Sequence, residues 1–119
     1  MLDHASKLDA FRRLNPFNFS VLEEFKILQV RDPVTAEMCH TAHLVLRDDR
    51  TSPSRHLTLE CRRVRQLEFK QGEFSLINFF LGVAVSPESG DFLVFDQEQS
   101  ETLQFECAEF HAYAEDQRA

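Results

Sequence analysis

Cys39, His40 and His43 form a C-H-x-x-H run, the densest grouping of metal-ligand types in this 119-residue chain. A structural zinc site needs about four ligands, usually as two separated pairs, and no second Cys/His pair follows. If the run lies on a strand, the odd separation of His40 and His43 also points them to opposite faces. No metal is expected. Gly72, Gly82 and Gly90 are too dispersed to cradle a phosphate, so no cofactor is expected either. Nucleophilic catalysis lacks its usual marks, since there is no G-x-S-x-G elbow and no cysteine with a partnering base. The chain is therefore read as a non-enzyme with no catalytic residues. His43 and His56 flank the Asp48–Ser54 segment and are expected to face each other across a hairpin on its solvent side.

The three cysteines cannot all pair within one chain. Cys61 follows Leu57 and Leu59 at two-residue spacing, and Cys107 follows Leu103 and Phe105 in the same way. That phase predicts two reduced thiols in the core, where free cysteine behaves as a small hydrophobe. Unpaired cysteines, together with an N-terminus lacking the basic start and apolar centre of a secretion signal, predict a cytoplasmic location. No apolar run approaches the roughly 18 residues of a membrane span.

Charge offers a different kind of chemistry. The formal net charge is −7. From Glu88 onward nine acids face a single base, Arg118, whereas the first 87 residues are nearly balanced. A field of this sign repels nucleic-acid phosphate and speeds encounter with basic proteins. Asp96, Glu98, Glu101, Glu106 and Glu109 are the expected partner-binding residues, with Glu106 in the outward phase of its strand. Seven bases between residues 47 and 70 (Arg47, Arg50, Arg55, Arg62, Arg63, Arg65 and Lys70) are the counter-argument for nucleic acid. The exposed positions among them offer histidine rather than stacking aromatics, so pairing with carboxylates on neighbouring strands is expected instead.

The elements that must position these groups are mostly strands. One helix is predicted within residues 1–16. Asp3 caps it, Ala5, Leu8, Phe11 and Leu14 form its apolar stripe, and Asn15-Pro16 ends it. Phe25, Ile27 and Val30 mark a strand ending at Asp32-Pro33, and Val34 to Cys39 is ambiguous. Ala42, Leu44 and Leu46, then Leu57, Leu59 and Cys61, alternate as the two arms of a hairpin. Val64, Leu67 and Phe69 slip the period by one residue, which predicts a bulge or turn near Arg63 to Gln66. Phe74 to Val85 is apolar on both faces, as a central strand covered on both sides would be. Turns at Gln71–Glu73, Ser86–Gly90 and Gln97–Ser100 separate it from its neighbours and from the strands at Asp91–Asp96 and Thr102–Cys107. Connections this short favour antiparallel pairing. The expected fold is α+β, mainly β. A single domain over 1–119 would hold one meandering antiparallel sheet of six or seven strands over 20–110, curled or sandwich-like. The helix would pack on the sheet, and residues 111–119 would form a tail.

Two segments, Leu57-Thr58-Leu59-Glu60-Cys61-Arg62-Arg63-Val64-Arg65-Gln66-Leu67 and Leu103-Gln104-Phe105-Glu106-Cys107-Ala108-Glu109-Phe110, carry a resemblance. The chain resembles a loose class of small bacterial proteins with a Val-x-x-Leu step and a late strand ending in Phe-x-Cys-x-x-Phe. Some members are thought to be immunity proteins that neutralise a toxin. The resemblance implies an immunity-type inhibitor that blocks a basic toxin domain, with no catalytic residues to carry over. The alternative expectation is a homodimer, structural or accessory, joined through an edge strand.

Overall fold

A computed structural model describes residues 4–50, 54–69, 80–97 and 103–116. The chain opens with α1 (His4–Arg13), a 3-10 turn (Pro16–Asn18), β1 (Val21–Arg31) and β2 (Met38–Asp48). These are followed by β3 (Arg55–Arg62), β4 (Arg65–Phe69), β5 (Leu81–Val85), β6 (Phe92–Asp96), β7 (Leu103–Cys107) and β8 (Glu109–Asp116). The fold is mainly β with one N-terminal helix. The expected single sheet of six or seven strands is replaced by two antiparallel sheets of four, ordered β1-β2-β3-β8 and β4-β7-β6-β5.

The division arises inside two strand runs. Residues 55–69 and 103–116 lie side by side through both sheets, with β3 on β8 and β4 on β7. Arg63, at φ 58°, takes the left-handed conformation, and the Ala108 N–H donates to Arg62 O across the break (3.1 Å). Gln66, also left-handed, shifts the β4–β7 register. This is the irregularity expected between Arg63 and Gln66, and bulges of this kind bend strands from one sheet into another.

Both sheets contribute to one core. β2 and β3 supply Ala42, Leu44, Leu46, Leu57, Leu59 and Cys61, all fully buried. The second sheet brings Leu81, Val94, Leu103, Phe105 and Cys107. Cys61 and Cys107 are free thiols, as expected from their phase. A hydrogen bond to Cys107, followed by burial, pushes the Cys61 thiol well above its ordinary range. The helix docks where the sheets meet. Phe11 meets Phe110 of β8 edge-on (6.0 Å between centroids), and Phe110 meets Phe92 of β6 in the same way (4.8 Å). His4 stacks on Phe92, and the Lys7 ammonium donates to Phe110 O (3.1 Å). Asn15, left-handed at φ 55°, and Pro16 end the helix where the sequence places its stop.

Three further expectations need correction. Residues 81–85 lie at the end of the second sheet, not at its centre. Their two apolar faces arise because the core covers one and the Phe95 ring lies over Gly82 on the other. The sheet does not stop at 110 to leave a tail from 111, because residues 109–116 form β8. Phe110, Ala112 and Ala114 face Cys61, Leu59 and Leu57, and alanine's weak strand preference is offset by that contact. Val34 to Cys39 is divided: residues 33–35 form a turn, and Met38 and Cys39 already belong to β2. Asp3, Lys70, the Gln71–Glu73 turn, the first half of the Phe74–Val85 segment and most of the Gln97–Ser100 segment lie outside the described residues.

Two substitutions test this packing. Leu59→Ala, at a fully buried position, should lower unfolding free energy by about 2–5 kcal/mol in urea titration. Gly82→Ala would place a methyl 2.7 Å from Gln97 Cγ and 2.8 Å from Phe95 Cζ, and should cost about 1–3 kcal/mol.

Candidate interaction surface

The β1–β2 hairpin outruns its sheet. β3 ends opposite Thr41 at Arg62, yet β1 and β2 stay paired through Gln29↔His40, Val30↔Cys39 and Arg31↔Met38. Three residue pairs therefore project as a two-stranded ribbon roughly 10 Å long. Its tip is held from within. Asp32 Oδ1 accepts the N–H groups of Val34 (2.8 Å) and Thr35 (3.1 Å), and the Asp32 N–H donates to Glu37 O (2.7 Å). The Arg31 guanidinium donates to Ala36 O (2.9 Å). Arg63, at the bend between β3 and β4, donates to Asp32 Oδ2 and ties the tip to the sheet.

Alternation sets which side chains this ribbon presents. Phe25 and Ile27 turn inward with Leu44 and Ala42 and pack against the core. Leu28 and Val30 therefore fall on the outer face, where both are exposed. Met38 is also exposed, and Val34 at the tip is 89% exposed. A concavity of about 530 Å³ lies beside them, lined by Val30, Val34, Cys39, Thr41, Arg62 and Glu109.

The rest of the outer face is polar and internally paired. His43 stands between Glu24 (3.3 Å) and Glu60 (3.7 Å), and His56 Nε2 lies 2.9 Å from Glu23 Oε2. Arg47 bridges Glu23 and Asp49, and Arg50 holds the buried carboxylate of Asp48. His43 and His56 share this face but do not oppose each other, because the register sets His43 against Glu60 and His56 against Arg47. No group of three or more His, Cys, Asp or Glu among the described residues is placed to hold a metal ion.

The acidic residues expected to form one binding face are dispersed. Asp96 is fully buried, since it shares the inward phase of Phe92 and Val94, and its Oδ1 accepts the Phe80 N–H (3.4 Å). Glu106 has the outward phase, yet it is only 6% exposed. The Ser89 hydroxyl donates to it (2.5 Å), and Arg65, which also pairs with Asp91, covers it. Glu98 and Glu101 lie outside the described residues. Glu109 is exposed and reaches the concavity beside the hairpin. The apolar residues of the ribbon carried a signal in the sequence: Leu28 and Val30 are out of phase with Phe25 and Ile27, so one pair had to face outward.

The chain matches no protein-family model, no curated protein and no solved structure.

Three carboxylates on this side of the molecule titrate below their ordinary values. Lys26 and then His43 lower Glu24. The Val34 and Thr35 N–H groups, with Arg63, lower Asp32, and the Arg50 side chain lowers Asp48. A carboxyl that releases its proton more readily when folded stabilises the fold above its unfolded pKa. That contribution is lost as pH falls through the folded value. The urea midpoint should therefore decline as pH drops below about 4. Asp48→Asn should be less stable than wild type at neutral pH, and the gap should close in acid. A gap that persists at pH 2 would contradict the assignment.

Proposed function

We propose that this chain is a protein-binding domain rather than an enzyme, and that the projecting β1–β2 hairpin is its binding element. The observation that carries the proposal is the exposure of Leu28, Val30, Val34 and Met38 on one internally braced ribbon. Grouped apolar side chains mark contact surfaces, and an element already ordered loses little conformational freedom on association.

A narrower form is an immunity-type inhibitor of a basic toxin domain. Its support is the net charge of −7 and the resemblance of segments 57–67 and 103–110 to immunity-type proteins. Among the described residues, Glu109, beside the hairpin, and Glu88 are its exposed acids in the C-terminal part. The buried Asp96 and Glu106 are not part of that surface. In this form association with the partner slows steeply as salt rises from 50 to 500 mM, and a salt-independent rate would count against it.

The general proposal is tested by affinity capture with quantitative mass spectrometry, followed by calorimetry with the purified partner. Val34→Asp should raise Kd at least about tenfold, while Val85→Asp, at an exposed apolar site on β5, should leave it unchanged. Equal losses in both variants, or a captured partner indifferent to Val34→Asp, would overturn the hairpin assignment.

A further inference from the structure

We propose that two copies of the chain join edge to edge through β1, antiparallel, about a twofold axis at Gln29. The inference builds on the hairpin as a binding element but uses its edge rather than its tip. β1 ends its sheet, and among the described residues no strand lies on its outer side. Edge strands of this kind pair with further strands unless charge, proline or cover prevents it.

Hydrogen-bond phase selects which residues meet the second copy. The Asp32 N–H donates to Glu37 O directly opposite it, and the register runs unbroken back to Glu24. In an antiparallel ladder the hydrogen-bonded pairs alternate, so Asp32, Val30 and Leu28 bond toward β2. Ile27, Gln29 and Arg31 therefore turn their N–H and C=O groups outward. A twofold axis at Gln29 sets Gln29 against its own copy and Ile27 against Arg31 of the other. All three positions then exchange both of their outward hydrogen bonds.

Side-chain phase agrees with the same centre. Lys26, Leu28, Val30 and Asp32 alternate along the outer face, and about Gln29 this row is self-complementary. Lys26 of one copy falls opposite Asp32 of the other, and Leu28 opposite Val30, twice over. Opposite charges thus lie across from each other at both ends, Lys26 shared with Glu24 and Asp32 with Arg63 of their own chains, and four exposed apolar side chains meet between them. Shifting the axis to Ile27 sets Lys26 against Leu28 and Val30 against Glu24. Shifting it to Arg31 sets the two guanidinium groups against each other. Only the Gln29 centre satisfies charge, apolar contact and hydrogen-bond phase together. The product is one continuous eight-stranded sheet with both Val34 tips outside the shared edge.

Light scattering on the full chain should report twice the 13.9 kDa of one chain at tens of micromolar. Gln29→Pro removes an N–H that faces away from β2, so the fold should persist while the central hydrogen bonds are lost. The dimer dissociation constant should rise at least about tenfold, with circular dichroism unchanged. If that variant fails to fold, Lys26→Asp serves instead. It sets like charges against Asp32 of the other copy at both ends and should weaken the dimer by a similar factor. A wild-type chain that stays at 13.9 kDa, or a dimer indifferent to Lys26→Asp, would overturn the inference. A monomer whose captured partner is still lost on Val34→Asp would overturn the edge pairing alone and leave the hairpin tip as the binding element.

Discussion

Residues 55–69 run beside 103–116 through both sheets, and the bend that this pair takes at Arg63 and Ala108 governs everything else in the molecule. A straight pair of runs this long would extend one flat sheet with a single covered face. Bent, the pair belongs to two sheets whose inner faces meet, so that Leu59 and Phe105 share one core. The helix has a place to dock because the bend brings Phe110 of one sheet against Phe92 of the other. Arg63 accepts a left-handed backbone conformation, a strained choice for a non-glycine residue, at this corner.

The same bend explains the projecting hairpin. β3 stops at Arg62 because the chain turns there, while β1 and β2 have no reason to stop and continue for three more pairs. The Val64 N–H, just past the corner, still reaches His40 O, and Arg63 still reaches Asp32. The ribbon is thus fastened at its root by the bend and braced at its tip by Asp32. Val30 and Met38 lie past the end of β3, and Leu28, beside Thr41, is exposed because it falls on the outer face.

Charge plays a different part from the one its distribution along the chain suggests. The acids crowd into the C-terminal quarter, but folding draws several of them into local pairs with arginines from the middle of the chain. Asp91 and Glu106 both meet Arg65, and nearer the N-terminus Asp32 meets Arg63 in the same way. In each pair the arginine is exposed while the carboxylate of Asp32 or Glu106 is largely covered. Their effect is positional, since they hold the corner and the hairpin tip where the backbone ladder is interrupted. What the charge pattern leaves at the surface beside the hairpin is Glu109, next to a concavity that Val30 and Val34 share with Arg62 and Glu60.

The two-residue alternation of Leu44 with Leu46, Leu57 with Leu59 and Leu103 with Phe105 specified strands, hairpins and buried thiols directly, because pleating forces neighbours to opposite faces. Asn15-Pro16 likewise specified where the helix ends, since the proline ring excludes the helical conformation before it. Alternation is blind to which strands share a sheet and to what lies over an outward face. The partition into two sheets, the edge position of residues 81–85 and the pairing of β8 with β3 came from long-range contacts that no local period encodes. Glu106 shows the same limit in one residue. Its phase points outward, and only the fold brings Ser89 and Arg65 over it, because cover depends on residues distant in sequence.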